Sequence, residues 1–225
     1  MASGPEFERA LLIGASGGIG GALREALGGG DLTCLSRSTD GLDVTEEATI
    51  ARATEGLSGP FDLIFDATGA LEIGGAAPEK TIAHIDPAAM RAQFEVNALG
   101  PALLLKHLSP LLPRSGRSVF ATLSARVGSI GDNRLGGWIS YRAAKAAQHQ
   151  IVHTAAIEIT RKRPEAIVVA LHPGTVATPL TEKYAGNHPT VTPAEAAENL
   201  LSVLARLTPD DTGQAFDWKG EQIPW

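Results

Sequence analysis

A seven-residue turn holding four glycines, set directly behind a short apolar run, restricts the fold of this chain more than any other feature. Residues 10–13 are apolar, Gly14-Ala15-Ser16-Gly17-Gly18-Ile19-Gly20 follows, and an amphipathic segment occupies 19–27. That order reads as strand, tight turn, helix. Amides at a helix N-terminus lack intrahelical partners, and the helix dipole there favours a negative charge. Glycines let a pyrophosphate approach that backbone. Tight strand-to-helix turns use glycine for their own geometry, so the turn alone is weak evidence. Its place in the first βα unit favours a dinucleotide site made by Gly14, Ser16, Gly17, Gly18, Ile19 and Gly20.

The rest of the chain repeats the alternation. Residues 32–36, 61–65, 118–123 and 166–171 read as further strands, with 214–218 as a last one. Helices are expected over 45–57, with Thr45 as N-cap, and from Asp86-Pro87 to about 112, bent near Gly100-Pro101. Two more are expected over 138–163, ending before Pro164, and over 194–207. Gly28-Gly29-Gly30 should stop the first helix in left-handed backbone. The alternation implies an α/β fold: a doubly wound parallel sheet (Rossmann fold) with helices on both faces. No polar linker divides the chain, so residues 1–225 are read as a single domain, with 1–7 as a loose N-terminal tail.

Composition excludes several classes. With 44% hydrophobic and 20% charged residues, the 225-residue chain can bury a core without disulfides. Its single cysteine, Cys34, suits a reducing compartment. A net charge of −6 is no nucleic-acid footprint, and Arg161-Lys162-Arg163 reads as a solvated helix end. No stretch is apolar for the length of a membrane span, and no signal peptide opens the chain, so the cytoplasm is the expected location. His149 and His153 are four apart on one helix but lack a third ligand, so no metal is expected. No Gly-x-Ser-x-Gly elbow supports a serine hydrolase.

A dinucleotide fold tests the adenosine ribose at the end of its second strand. An acid there binds the 2′-hydroxyl, and an arginine suits a 2′-phosphate. Here Leu35-Ser36-Arg37-Ser38 offers no acid, and a guanidinium forks well onto phosphate. Arg37 and Ser38 therefore point to NADP(H), with NAD(H) as the alternative. A surface arginine in a loop is the plainer reading.

Tyr141 and Lys145 are four apart within the expected helix 138–163, hence on one face. A free phenol, with a pKa of about 10, is a poor base at neutral pH. A nearby ammonium stabilises phenolate and lowers that pKa, which makes proton transfer feasible. Alone the pair is weak, because any amphipathic helix can carry it.

The order of the surrounding landmarks resembles the short-chain dehydrogenase/reductase family. The spacing Gly14-x-x-x-Gly18-x-Gly20 is that of the family's nucleotide turn, with Ile13 where threonine is usual. Asp43 and Val44 match the place that contacts adenine. Asp66-Ala67-Thr68-Gly69 occupies the position of an Asn-Asn-Ala-Gly signature whose side-chain amides are absent here. Asn97 matches the family's asparagine, and Ser124 its serine at a strand end, seventeen positions before Tyr141; Ser129 is the other candidate. His172-Pro173-Gly174-Thr175-Val176, with Thr178 beyond, matches a Pro-Gly turn beside the cofactor. Residues 124–133 and the ending Ile223-Pro224-Trp225 resemble the bacterial C-factor-like branch.

The resemblance implies an NADP(H)-dependent oxidoreductase that interconverts a carbonyl and an alcohol by direct hydride transfer. Tyr141 would move the proton and Lys145 would lower its pKa and hold the nicotinamide ribose. Ser124 would hydrogen-bond the reacting oxygen, and Asn97 would hold a water linking Lys145 to solvent. Ala67, Thr68 and Gly69 would line the cofactor. The loop 176–191 should border the substrate pocket through Leu180 and Tyr184, with Leu135 and Trp138 as another wall. A homodimer or homotetramer pairing helices 87–112 and 138–163 is implied. A non-catalytic nucleotide-binding sensor of the same fold is the alternative. A sugar-nucleotide epimerase is a third reading, for which the chain beyond Thr178 is short.

Overall fold

The computed structural model describes residues 7–178, 183–184 and 189–225. Six strands make one parallel sheet: β1 (Arg9–Ile13), β2 (Asp31–Leu35), β3 (Leu63–Asp66), β4 (Ser118–Leu123), β5 (Ala166–His172) and β6 (Ala215–Asp217). Their spatial order is β2-β1-β3-β4-β5-β6, with every neighbouring pair parallel. The connecting helices are α1 (Gly18–Leu27), α2 (Arg37–Asp40), α3 (Glu47–Thr54), α4 (Pro87–Phe94), α5 (Gly100–Leu108), α6 (Ile139–Thr160) and α7 (Pro193–Arg206).

The central strands are buried on both faces, which is why they read as largely apolar runs. Successive side chains alternate between two cores. Leu11, Ile13, Phe120, Val168 and Ala170 meet Ile50 of α3, Leu104 and Leu108 of α5, and Val152 and Ala156 of α6. Ala10, Leu12, Val119, Ile167 and Val169 meet Leu23 of α1 and Leu200, Val203 and Leu204 of α7.

Caps fix the helix starts. Asp86 accepts from the amides of Ala88 and Ala89 ahead of Pro87, and Thr192 accepts from Glu195 N ahead of Pro193. Such a cap is worth about 1 kcal/mol. The long helix expected from Pro87 is interrupted at Glu95–Leu99, which winds as a π-helical segment before Gly100-Pro101 is reached.

Four expectations need correction. Gly28 closes α1 in right-handed backbone, at φ −64°, so it acts as a break without a left-handed turn. Arg37 and Ser38 belong to a short helix rather than a loop, because the Ser36 side chain accepts from Thr39 N and starts α2. Thr45 does not cap α3, whose N-cap is Glu46; its hydroxyl donates to Asp43 instead. The third strand begins two residues later than expected, at Leu63.

From β1 the chain runs to β2 on one side, and β3 then joins β1 on the other side. The crevice where strand order reverses, beyond the carboxyl ends of β1 and β3, is where such folds bind ligands.

Candidate active site

A cleft of about 1000 Å³ opens at that place. This is at the upper end of small-molecule pockets and has room for a nucleotide and a second reactant. Ser16, Gly17, Gly18, Ile19 and Gly20 form one wall. The amides of Gly18, Ile19 and Gly20 precede the first bond of the helix, which Gly21 N makes to Gly17 O at 2.7 Å. Gly17, the N-cap, supplies no side-chain acceptor. The turn is also closely packed. A Cβ on Gly20 would stand 2.1 Å from Gly14 O, and Gly14 itself has φ +84°. An uncapped helix N-terminus beside a cavity suits a phosphate, so the residues present fit a dinucleotide.

The opposite wall is Ala67, Thr68 and Gly69 after β3. Asp66 organises it. Its Oδ1 accepts from Thr68 N (2.9 Å) and Thr68 Oγ1 (2.6 Å), and its Oδ2 from Thr122 Oγ1 (2.7 Å). The turn that asparagine amides would brace is thus braced by a carboxylate. Asp66 is fully buried, and desolvation pushes its carboxyl up despite those donors. Pro173, Gly174, Thr175, Val176 and Thr178 complete the lining on the β5 side. His172 lines it too, with Nδ1 buried and unpartnered among the described residues. Burial, followed by Arg126, pushes that imidazole down to about 4.

Tyr141 and Lys145 both line the cleft from the first turns of α6. The helix start is held by Glu79, whose Oε1 accepts from Ser140 N and whose backbone O accepts from Trp138 N. Nothing in the sequence flagged Glu79. Lys145 Nζ lies 5.9 Å from the centre of the Tyr141 ring. It donates to Leu123 O (3.2 Å) and Gln148 Oε1 (2.9 Å). Gln148 Nε2 donates in turn to Thr122 Oγ1 (2.9 Å), so side chains link Lys145 to Asp66. Desolvation pushes the Lys145 ammonium down to about 8, and the Asp66 charge opposes that shift. Burial raises the Tyr141 phenol above its usual value.

Of Ser124, Ser129 and Ser140, only Ser124 lines the cleft. Its backbone N donates to Leu171 O, which extends the β4 register by one residue. Its Oγ lies 2.9 Å from His149 Nε2. Ser129 donates to Pro224 O and Ser140 to Glu79, both away from the cavity. Asn97 is fully buried behind the lining. Its Nδ2 donates to Ala70 O (2.8 Å) and Gln93 Oε1 (2.7 Å), and its Oδ1 accepts from Ala70 N (3.2 Å). Both of its donors are used inside the protein, so only one Oδ1 lone pair remains for the water expected there.

Gly14, Arg37, Ser38, Asp43 and Val44 lie outside the lining. Gly14 shapes the turn from beneath, and Val44 packs on Gly100. The Arg37 side chain is 79% exposed, and its one ion pair among the described residues is a loose 3.9 Å contact with Asp43. Asp43 is held low by Thr45, whose hydroxyl and amide donate to it. Asp40, which sequence reasoning passed over, folds back to accept from Ser36 N.

At the far end Leu135 and Trp138 form one rim and Tyr184 another. Trp138 meets Tyr141 and Tyr184 edge-on, at centroid distances of 6.3 and 5.4 Å. Tyr184 OH donates to Glu72 Oε1 (2.5 Å), a contact invisible in sequence. Leu180 lies outside the described residues. Among the described residues no cluster of three metal-ligating side chains occurs, and no helix is long and apolar enough to cross a membrane.

Residues 35–217 match the family described as enoyl-(acyl carrier protein) reductase. The chain is 29% identical, over 96% of its length, to the 1-hydroxy-2-glutathionyl-2-methyl-3-butene dehydrogenase of Rhodococcus sp. (strain AD45), of which it covers 98%. It is 31% identical, over 78% of its length, to C-signal of Myxococcus xanthus, of which it covers 99%. Its fold matches the NADPH-bound carbonyl reductase from chicken fatty liver with a TM-score of 0.81 at 23% identity, over 98% of this chain and 100% of that one.

Proposed function

Because the chain belongs to the short-chain dehydrogenase/reductase family, we propose that it is an NADP(H)-dependent oxidoreductase interconverting a carbonyl and an alcohol, with Tyr141, Lys145, Ser124 and Asn97 as its working residues. The observation that carries this reading is one cleft lined by Tyr141, Ser124 and the uncapped N-terminus of α1. When bound, the nicotinamide nucleotide supplies or accepts the hydride. Gly18, Ile19 and Gly20 would offer amides to its pyrophosphate, and Arg37 a guanidinium to a 2′-phosphate. NADPH in the chicken carbonyl reductase supports that preference; NAD(H) remains the weaker ligand.

The Tyr141 phenol makes no hydrogen bond among the described residues. Burial keeps it protonated at working pH, so it is poised to donate a proton to the oxygen of a bound carbonyl. Lys145, still charged at neutral pH, stands behind the ring and favours phenolate as it forms. Ser124 hydrogen-bonds the same substrate oxygen and stabilises its developing charge. Asn97 acts mainly by fixing the loop at Ala70.

The similarity to C-signal supports a place in the C-factor-like branch. It also favours a second reading, a nucleotide-binding signalling protein. An exposed apolar groove between α4 and α6, with Phe94, Leu99 and Ile151, supports a homodimer or homotetramer, and a cytoplasmic location fits the single cysteine. The test is fluorescence titration with NADPH and NADH, followed by turnover of the diketone benzil and of an enoyl thioester. Tight NADPH binding and benzil reduction, abolished in Tyr141→Phe with binding retained, are expected. Failure to bind either nucleotide would refute the oxidoreductase. Binding without turnover of any carbonyl would favour the signalling reading, and reduction of the enoyl thioester alone would move the chemistry to a carbon–carbon double bond.

A further inference from the structure

His149 stands eight positions after Tyr141 on the same helix and does not line the cleft. It is 3% exposed and touches the site through one atom, Nε2, at 2.9 Å from Ser124 Oγ. The ring is held from several sides. Gly128, in the helical turn Arg126–Gly128 just after Ser124, lies so close that a Cβ there would stand 3.0 Å from His149 Cε1. The Trp225 ring meets the imidazole edge-on at 5.8 Å. Trp225 is itself tied back, since its carbonyl accepts from Gly131 N at 2.7 Å and Ser129 donates to Pro224 O. Arg126, bonded to Asp217 and Asp132, fixes the start of that turn. Burial, then the charge of Lys145, pushes the His149 imidazole down to about 4, so at neutral pH it carries one ring hydrogen.

Where that hydrogen sits decides what Ser124 can do. A hydroxyl has one hydrogen and can accept a bond while donating another. If Ser124 donated to His149, it would have no hydrogen for a substrate oxygen. We propose that His149 is a positioning residue for Ser124: its Nε2–H donates to Ser124 Oγ, so that the serine hydrogen points into the cleft at the reacting oxygen. The inference rests on the role of Ser124 given above. It adds a fifth side chain to the site, one that acts only through another.

The experiment uses the full chain. Imidazole nitrogen NMR of histidine-labelled protein reads the tautomer without any substrate. The expected spectrum has His149 neutral with hydrogen on Nε2, and a shift of that resonance in Ser124→Ala. Hydrogen on Nδ1 instead would overturn the proposal. Kinetics with benzil and NADPH provide the second readout. His149→Asn keeps a polar side chain of similar bulk but stops short of Ser124, whereas His149→Gln places an amide nitrogen where Nε2 stands. The Asn variant should lose about tenfold in kcat, the order expected for one hydrogen bond, with NADPH affinity and KM unchanged, and the Gln variant should recover most of it. In a Ser124→Ala background, His149→Asn should cost nothing further. The same tenfold loss there, or wild-type kcat in the Asn variant, would overturn the positioning role and leave Ser124 in place. Wild-type kcat in Ser124→Ala would instead remove the Ser124 reading on which the inference rests.

Discussion

Replacing Gly20 by alanine tests the phosphate-binding turn most directly. The new Cβ would lie 2.1 Å from Gly14 O, 2.9 Å from Gly14 C and 3.2 Å from Ala15 Cα. All three are backbone atoms, so no rotamer change relieves the clash. The turn must open by roughly an ångström to reach ordinary contact, and such overpacking costs about 1–3 kcal/mol. Opening it moves the amides of Gly18 and Ile19 off their line into the cleft. NADPH affinity should therefore fall by a factor between about 5 and about 150, at about 1.4 kcal/mol per tenfold. Gly18→Ala is the control. Its Cβ meets the Thr178 side chain at 2.8 Å, and the next contact, 3.4 Å, is on the same side chain. Its loss should stay within about fivefold. Fluorescence titration measures both, with thermal melting as a check on folding. Equal NADPH affinity in Gly20→Ala and wild type would refute the reasoning.

Three further outcomes are expected. Arg37→Ala should weaken NADPH about tenfold or more while leaving NADH unchanged, as for one charge-assisted phosphate contact; parallel titrations decide, and equal losses for both nucleotides would remove Arg37 from phosphate recognition. Asp66→Asn removes the anion that sustains the Lys145 ammonium, so the alkaline limb of kcat/KM, set by a group near 8, should move to lower pH; an unmoved limb would disconnect the relay from Lys145. His149 and His172 both sit at about 4 in the folded chain, below the ordinary 6.5 or so. The unfolded chain therefore takes up protons first, and stability should drop as pH falls from about 6.5 towards 4. Melting curves across that window should show it, and His172→Gln should remove part of the drop.

The fold was largely legible because its strands are buried on both faces and bounded by glycine, proline and capping residues. Residues 118–123 were read as a strand and are β4, and Asp86-Pro87 starts α4 as read. The misreadings have local causes. The α2 cap depends on the Ser36 side chain turning back to Thr39, and the expected long helix winds as a π-helix at Glu95–Leu99, just before the Gly100-Pro101 bend. In the site, spacing on one helix brought Tyr141 and Lys145 into view together. Partners from distant segments had no such signal. Thr122, Gln148 and Asp66 meet through a network spanning β3, β4 and α6, and Glu79 and Glu72 reach the site from an irregular loop. His149 was read only beside His153, as a metal pair lacking a third ligand; its partner, Ser124, is 25 residues upstream.

The strand order β2-β1-β3-β4-β5-β6 has a consequence for how the chain is made. After β3, each strand to emerge from the ribosome pairs with the one before it, so the sheet can grow in the order of synthesis. The growing edge is then always the newest strand. Because β4 and β5 are built to be buried on both faces and are largely apolar, each incomplete stage presents a sticky, unpaired border. That border is closed last by β6, a three-residue strand. Interrupted translation after β5 should thus yield a nearly complete but aggregation-prone product, and a chaperone would find its substrate there.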